Sequence, residues 1–159
     1  MSQRAGSART RTWSVGTPCW AAAACTARST QPSLAQARLA ATQLDQAGRR
    51  ALEAAALAGQ GAPLDVIARI SEPGLDALVL AGLVDLQQER CVLQPDELTQ
   101  VVVEGLSRRR SIELHAALAD AWAAEGDDPG IHHQVGRHRF AAEQVQAALP
   151  SLRRALNHL

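Results

Sequence analysis

The run LDALVLAGLVDLQQERCVL, Leu75–Leu93, decides the fold. In its first half Leu75, Leu78, Val79 and Leu83 recur at helical steps and fall on one face. After Gly82 the period changes. Val84-Asp85-Leu86 alternates, Gln87–Arg90 is polar, and Cys91-Val92-Leu93 is apolar again. A helix running into two short apolar stretches around a four-residue polar turn reads as a helix followed by a β-hairpin. This hairpin is the only strand signal in the chain.

Upstream, Ser33 with Gln36 three residues on forms a capping-box pattern. Leu34, Ala37, Ala41, Leu44, Gly48, Ala51, Leu52 and Ala55 then predict a helix over 34–58, kinked at Gly48. Gly59–Pro63 ends it. A short helix over Leu64–Ile70 follows. Ser71-Glu72-Pro73 opens the next helix, Pro73 suiting a first turn because its missing N–H has no partner there anyway. Downstream of the hairpin, Asp96 and Glu97 favour a helix N-terminus, and Leu98, Val101, Val102 and Leu106 give that helix its face. Arg108-Arg109-Arg110 marks a junction. Leu114, Ala117, Leu118, Ala121 and Trp122 form the clearest helical stripe, ended by Gly126–Gly130. Ile131–Leu159 reads as helix divided into three pieces by Gly136 and Pro150. The expected fold is mainly α: a winged-helix-like unit with one small β-hairpin over 33–106, then a short helical array over 107–159. Residues 1–32 are expected to be a disordered tail.

Composition bounds the chemistry. All 16 basic residues among the 159 are arginine. A chain without lysine has no phosphate-loop lysine, no Schiff-base lysine and no Ser-Lys dyad. Net charge is zero, but residues 1–44 hold five arginines and no acid, while 45–159 carry a net −5. No apolar run approaches the ~18 residues of a membrane helix. The apolar Ala21–Cys25 is too short for a signal peptide. Cys19, Cys25 and Cys91 are an odd count without zinc spacing and read as reduced thiols of a cytoplasmic protein.

Each candidate site has a plain reading beside it. His132, His133 and His138 cluster, but adjacent helical histidines point about 100° apart, so a shared metal is not expected. Arg108-Arg109-Arg110 and Arg137-His138-Arg139 could meet phosphates, yet Glu104, Glu113, Asp127 and Asp128 lie close by. Asp127 and Asp128 sit in a Gly/Pro-rich loop beside nothing reactive. Ser107 and Ser111 have no visible His-Asp partners. Trp122 and Phe140 read as core. No catalytic, metal or cofactor residue is assigned.

From Arg50 to Leu159 the chain resembles one stretch of large AAA/STAND-ATPase signalling regulators. These are LuxR/MalT-like activators, or serine/threonine kinases fused to an ATPase and tetratricopeptide repeats. Ala51–Ile70 resembles their "LxxAAxLG…PLxxLA" helix pair. Leu75–Val84 resembles the "LxxLxxAGLL" helix leading into the wing. Arg108–Glu125 resembles "RRRxLHxxLAxAL", and Ile131-His132-His133 with Ala141-Ala142 the "LAHHxxxAGDxxxA" start of a repeat. Leu93-Gln94-Pro95 stands where the family has an aromatic and a histidine. A GxxxxGK[ST] phosphate loop and the kinase signatures are absent.

The resemblance implies a fragment of such a regulator, joining the ATPase to a tetratricopeptide-like array. The function it implies is a non-catalytic protein-interaction module. Its packing residues would be Leu75, Leu78, Val79, Leu83, Leu114, Leu118 and Trp122. Its partners would be a protein or the neighbouring ATPase and repeat domains, with self-association through an exposed apolar face. The alternative is a DNA-binding winged-helix regulator whose recognition helix is Pro73–Leu83, or a remnant carrying its parent's ATPase or kinase label. That helix has Asp76, follows Glu72, and lacks the Arg, Asn and Gln that read bases, so nucleic acid is not the expected partner.

Overall fold

The computed structural model describes residues 31–59 and 61–157. These residues are mainly helical, and among them are seven helices and a small three-stranded antiparallel sheet. The disordered-tail expectation for 1–32, and Cys19 and Cys25 with it, falls almost wholly outside the described residues.

Helix α1 (Leu34–Gln43) begins with the expected capping box: Ser33 Oγ accepts from Gln36 N, and Gln36 Oε1 accepts from Ser33 N. The single helix expected over 34–58 is two. Leu44 is extended (ψ 141°), and Asp45 starts α2 (Gln46–Ala58) by accepting from Gly48 N at 2.7 Å. The break therefore falls at Leu44–Asp45, where a carboxylate serves a free helix N–H. Gly48 lies inside α2, where an added Cβ would sit 3.3 Å from the Ala77 Cβ.

Helix α2 buries Ala51, Leu52, Ala54, Ala55, Ala56 and Ala58. Helix α3 (Leu64–Leu80) lies across it. Its chain leaves helical geometry at Ser71 (φ −163°, ψ 87°), so it has two arms, as Pro73 predicts. Ser71 Oγ donates to Ala47 O. At Gly74 an added Cβ would sit 2.1 Å from Ala47 O, so the second arm rests on the backbone of α2. The arm ends in a Schellman motif: Gly82 (φ 67°) donates to Val79 O and Leu83 to Leu78 O. This motif turns the chain from helix into sheet.

Strands β2 (Val84–Gln87) and β3 (Arg90–Leu93) pair as Val84↔Leu93 through Gln87↔Arg90. The polar turn is shorter than expected. It is the two residues Gln88 (φ 51°) and Glu89 (φ 63°), both left-handed, the geometry that matches strand twist in a tight hairpin. The hairpin is also not the whole sheet. Ala62–Pro63 forms β1 on the other edge of β3, giving the order β1-β3-β2. Two residues, one a proline, carry no periodicity, and proline is tolerated only because this is an edge. Helix α2, then β1, the two arms of α3 and the hairpin follow in the order helix–strand–helix–helix–strand–strand.

Helix α4 (Asp96–Gly105) returns onto α2, burying Leu98. Helix α5 (Arg108–Ala123) is capped by Ser107, whose Oγ accepts from Arg110 N. It packs on α2 and α3 through Leu114, Leu118, Ala121 and Trp122. Helix α6 (Pro129–Ala141), capped by Asp128, and α7 (Val145–Leu156) form a tight hairpin. Three pieces were expected here; there are two. Gly136 does not break α6. It lets α7 approach, since a Cβ there would meet Leu152 at 2.5 Å. Pro150 stays within α7, and the turn is made by Glu143 (φ 62°).

Of the expected packing residues, Leu75, Leu78, Leu83, Leu114, Leu118 and Trp122 are buried, and Val79 is half-buried. Phe140 is not core: it is 62% exposed. It follows Arg139 at the end of α6, where the ring points off the α6–α7 hairpin.

Candidate functional site

The junction between the winged-helix-like unit and the helices after it holds the most organised polar chemistry. His138 is fully buried on α6. Its Nδ1 lies 2.9 Å from Nδ1 of His115 on α5, and its Nε2 lies 3.1 Å from Nη2 of Arg137. The same Nη2 donates to Ala58 O, at the end of α2. A guanidinium only donates, so His138 Nε2 must accept. The His138 proton is therefore on Nδ1, which donates to His115 Nδ1, and His115 carries its own proton on Nε2. One chain of hydrogen bonds thus joins α2, α6 and α5. Burial first, then the charge of Arg137, then His115, holds the His138 ring down at about 3, and burial and Arg137 lower His115 as well.

Sequence reading placed His138 with His132 and His133. The structure separates the three. His132 Nε2 is 2.8 Å from Asp127 Oδ1, and His133 is exposed. The partner missed was His115, 23 positions away. The available signal was its place beside Leu114 and Leu118 on the buried stripe of α5. Among the described residues, no group of three His, Cys, Asp or Glu side chains converges as a metal would need.

The arginines of the 108–110 run are paired with acids. Arg108 bonds Glu143, Arg109 bonds Glu113, and Arg110 reaches Glu53 on α2 at 2.8 Å. Arg137, exposed overall, spends Nη2 on Ala58 O and His138, and Arg139 Nη1 donates to Ala147 O. Arg69 bonds Glu125, fastening α3 to the end of α5. Asp128 and Ser107 are occupied as helix caps, and Asp127 faces His132 and Arg154. Cys91 is buried in β3, and burial pushes its thiol up to about 12. An open groove of about 570 Å³ runs between the start of α2 and the kink of α3, where Asp45 and Glu72 stand with Arg50 and Arg69. Its walls mix both charges.

The exposed face of the second arm of α3 carries Glu72, Asp76 and Leu80, the last 85% exposed. This face, on the arm that leads into the hairpin, is acidic. A second feature is apolar. Among the described residues, seven large apolar side chains are exposed, and four of them, Phe140, Val145, Leu149 and Leu156, lie on the α6–α7 hairpin. No described helix is long and apolar enough to cross a membrane.

No family model, curated protein or solved structure matches the chain.

Proposed function

We propose that the chain is a non-catalytic coupling module that works by protein–protein contact in the cytoplasm. In this reading it is the winged-helix and first-repeat portion of a signalling ATPase regulator. It would pass the nucleotide state of an ATPase to a repeat array through helix docking. The observation that carries the reading is the apolar side of the α6–α7 hairpin, left open beside a junction whose three arginines pair with acids. The hydrogen-bonded junction Ala58–Arg137–His138–His115 fits the same role, because it makes the hairpin and α2 move together. The acidic face of α3 favours protein over a phosphate backbone as the partner.

A photo-reactive amino acid at position 149, with one at the exposed polar Glu104 as control, tests the reading in cells. Cross-links at 149 to an ATPase- or repeat-bearing protein, exceeding those at 104, are expected. Equal labelling at both positions overturns it. So does tight binding to duplex DNA that weakens steeply as salt rises, which would establish the nucleic-acid reading instead.

A further inference from the structure

The apolar residues of α7 have an order of their own. Val145, Leu149, Leu152 and Leu156 follow at steps of four, three and four, and so fall within about 60° on the helix. Leu152 is half-buried against Gly136, while Val145, Leu149 and Leu156 are exposed, Leu156 at 65%. The edge of α7 buried in the fold holds Ala148 and Ser151 and adjoins Leu152, about 40° and 100° round the helix from it. A 4-3-4 ridge is the seam of a short coiled coil, and it reads the same from either end.

We propose that α7 pairs with α7 of a second copy of this chain, antiparallel, about a two-fold axis between Leu149 and Leu152. This deepens the reading of the chain as an interaction module and rests on it. Antiparallel pairing sets Val145 on Leu156 of the second copy and Leu149 on Leu152, so every ridge residue meets an apolar one. Helix α7 carries Arg153 and Arg154 and no acid. Parallel pairing would gather four arginines at one end. Antiparallel pairing separates them and brings Arg153 beside Gln146 of the second copy. Residues 1–30 are a poor occupant, since they carry Arg4, Arg9, Arg11 and Arg28 without an acid, and the ridge is edged by arginines. With four to five large side chains per copy, the interface is at the small end for specific association, roughly 1,200 Å² or less in total. The dimer is accordingly weak and concentration-dependent.

Sedimentation velocity on the full chain, from about 1 to 500 μM, tests the pairing across the weak-affinity range. A monomer–dimer equilibrium is expected. Gln146→Glu places a carboxylate opposite Arg153 twice by symmetry and tightens the dimer about threefold to tenfold at low salt. The gain disappears at about 1 M salt. Misfolding cannot produce such a gain. Leu149→Asp abolishes the dimer with the circular dichroism spectrum unchanged. In a chain with Cys19→Ser and Cys25→Ser, Val145→Cys with Leu156→Cys gives oxidised dimers, and Val145→Cys alone does not. A strict monomer, a dimer indifferent to Gln146→Glu, or cross-linking by Val145→Cys alone overturns the proposal. A strict monomer that still cross-links to an ATPase-bearing protein through position 149 overturns the self-pairing and leaves the module reading standing. A dimer without such cross-links upholds the self-pairing and overturns the ATPase- or repeat-bearing partner.

Discussion

His138 gives the folded state a dependence on acid that can be worked out in advance. Its ring is fully buried and neutral, with Arg137 donating to Nε2 and Nδ1 donating to His115. In the unfolded chain it takes a proton as pH falls through 6.5, while in the fold it resists to about 3. The unfolded state therefore binds more protons over that window, so stability rises with pH there. The full contribution is present above 6.5 and is lost progressively between 6.5 and 3. At about pH 5 the loss is roughly 2 kcal/mol for this one group, from about 1.4 kcal/mol per unit. That is of order 10 °C in Tm for a domain of this size.

The check is urea unfolding followed by circular dichroism at about pH 7.5 and pH 5, on wild type and His138→Gln. The amide oxygen of Gln accepts from Arg137 but takes no proton. The variant should lose about 2 kcal/mol less than wild type between the two conditions, whatever its stability at neutral pH. Nitrogen–proton correlation spectra of the wild type should show His138 as the Nδ1–H tautomer down to pH 5. Equal acid sensitivity in the two proteins, or a protonated His138 ring at pH 5, would refute the buried neutral pair.

Three further outcomes follow from packing and backbone geometry. Gly74→Ala should destabilise by about 2–4 kcal/mol in urea, because its Cβ would lie 2.1 Å from Ala47 O and the two helices must separate. The pair Gln88→Asn and Glu89→Gly should raise Tm by several degrees, at about 1 kcal/mol for each left-handed residue relieved. Trp122→Ala should cost about 3–5 kcal/mol, and Phe140→Ala within about 0.5 kcal/mol, since one ring is buried and the other exposed. Similar losses for the two rings would contradict the placement of α6.

The helices and the hairpin were legible because their signals are local. Ser33 and Gln36, the Leu75–Leu83 stripe and the change of period after Gly82 each state their structure within a few residues. Gly82 in particular names the Schellman end that sequence could mark only as a change of period. What failed to show depends on tertiary distance. Gly48 and Gly136 look like helix breakers, yet both are contact points, one against Ala77 and the other against Leu152. Strand β1 exists only because β3 offers an edge to Ala62 and Pro63. Phe140 misled because a lone aromatic at helical spacing does not reveal which side of a two-helix hairpin it occupies. The pairing of His115 with His138 needed α5 and α6 side by side, which no spacing within either helix encodes.

Among the described residues, eleven of the twenty-five buried apolar side chains are alanines, and α2 is lined with them. A methyl group loses no rotamers on burial, but it also removes little apolar surface from water. Unfolding such a core exposes proportionally more peptide backbone, whose hydration lowers the heat capacity, and less hydrocarbon, whose hydration raises it. The heat-capacity increment per residue should fall below the ~12–15 cal/mol/K of ordinary domains. A small increment flattens the curve of free energy against temperature, so the lysine-free, alanine-packed chain should keep a nearly constant stability from cold to warm conditions.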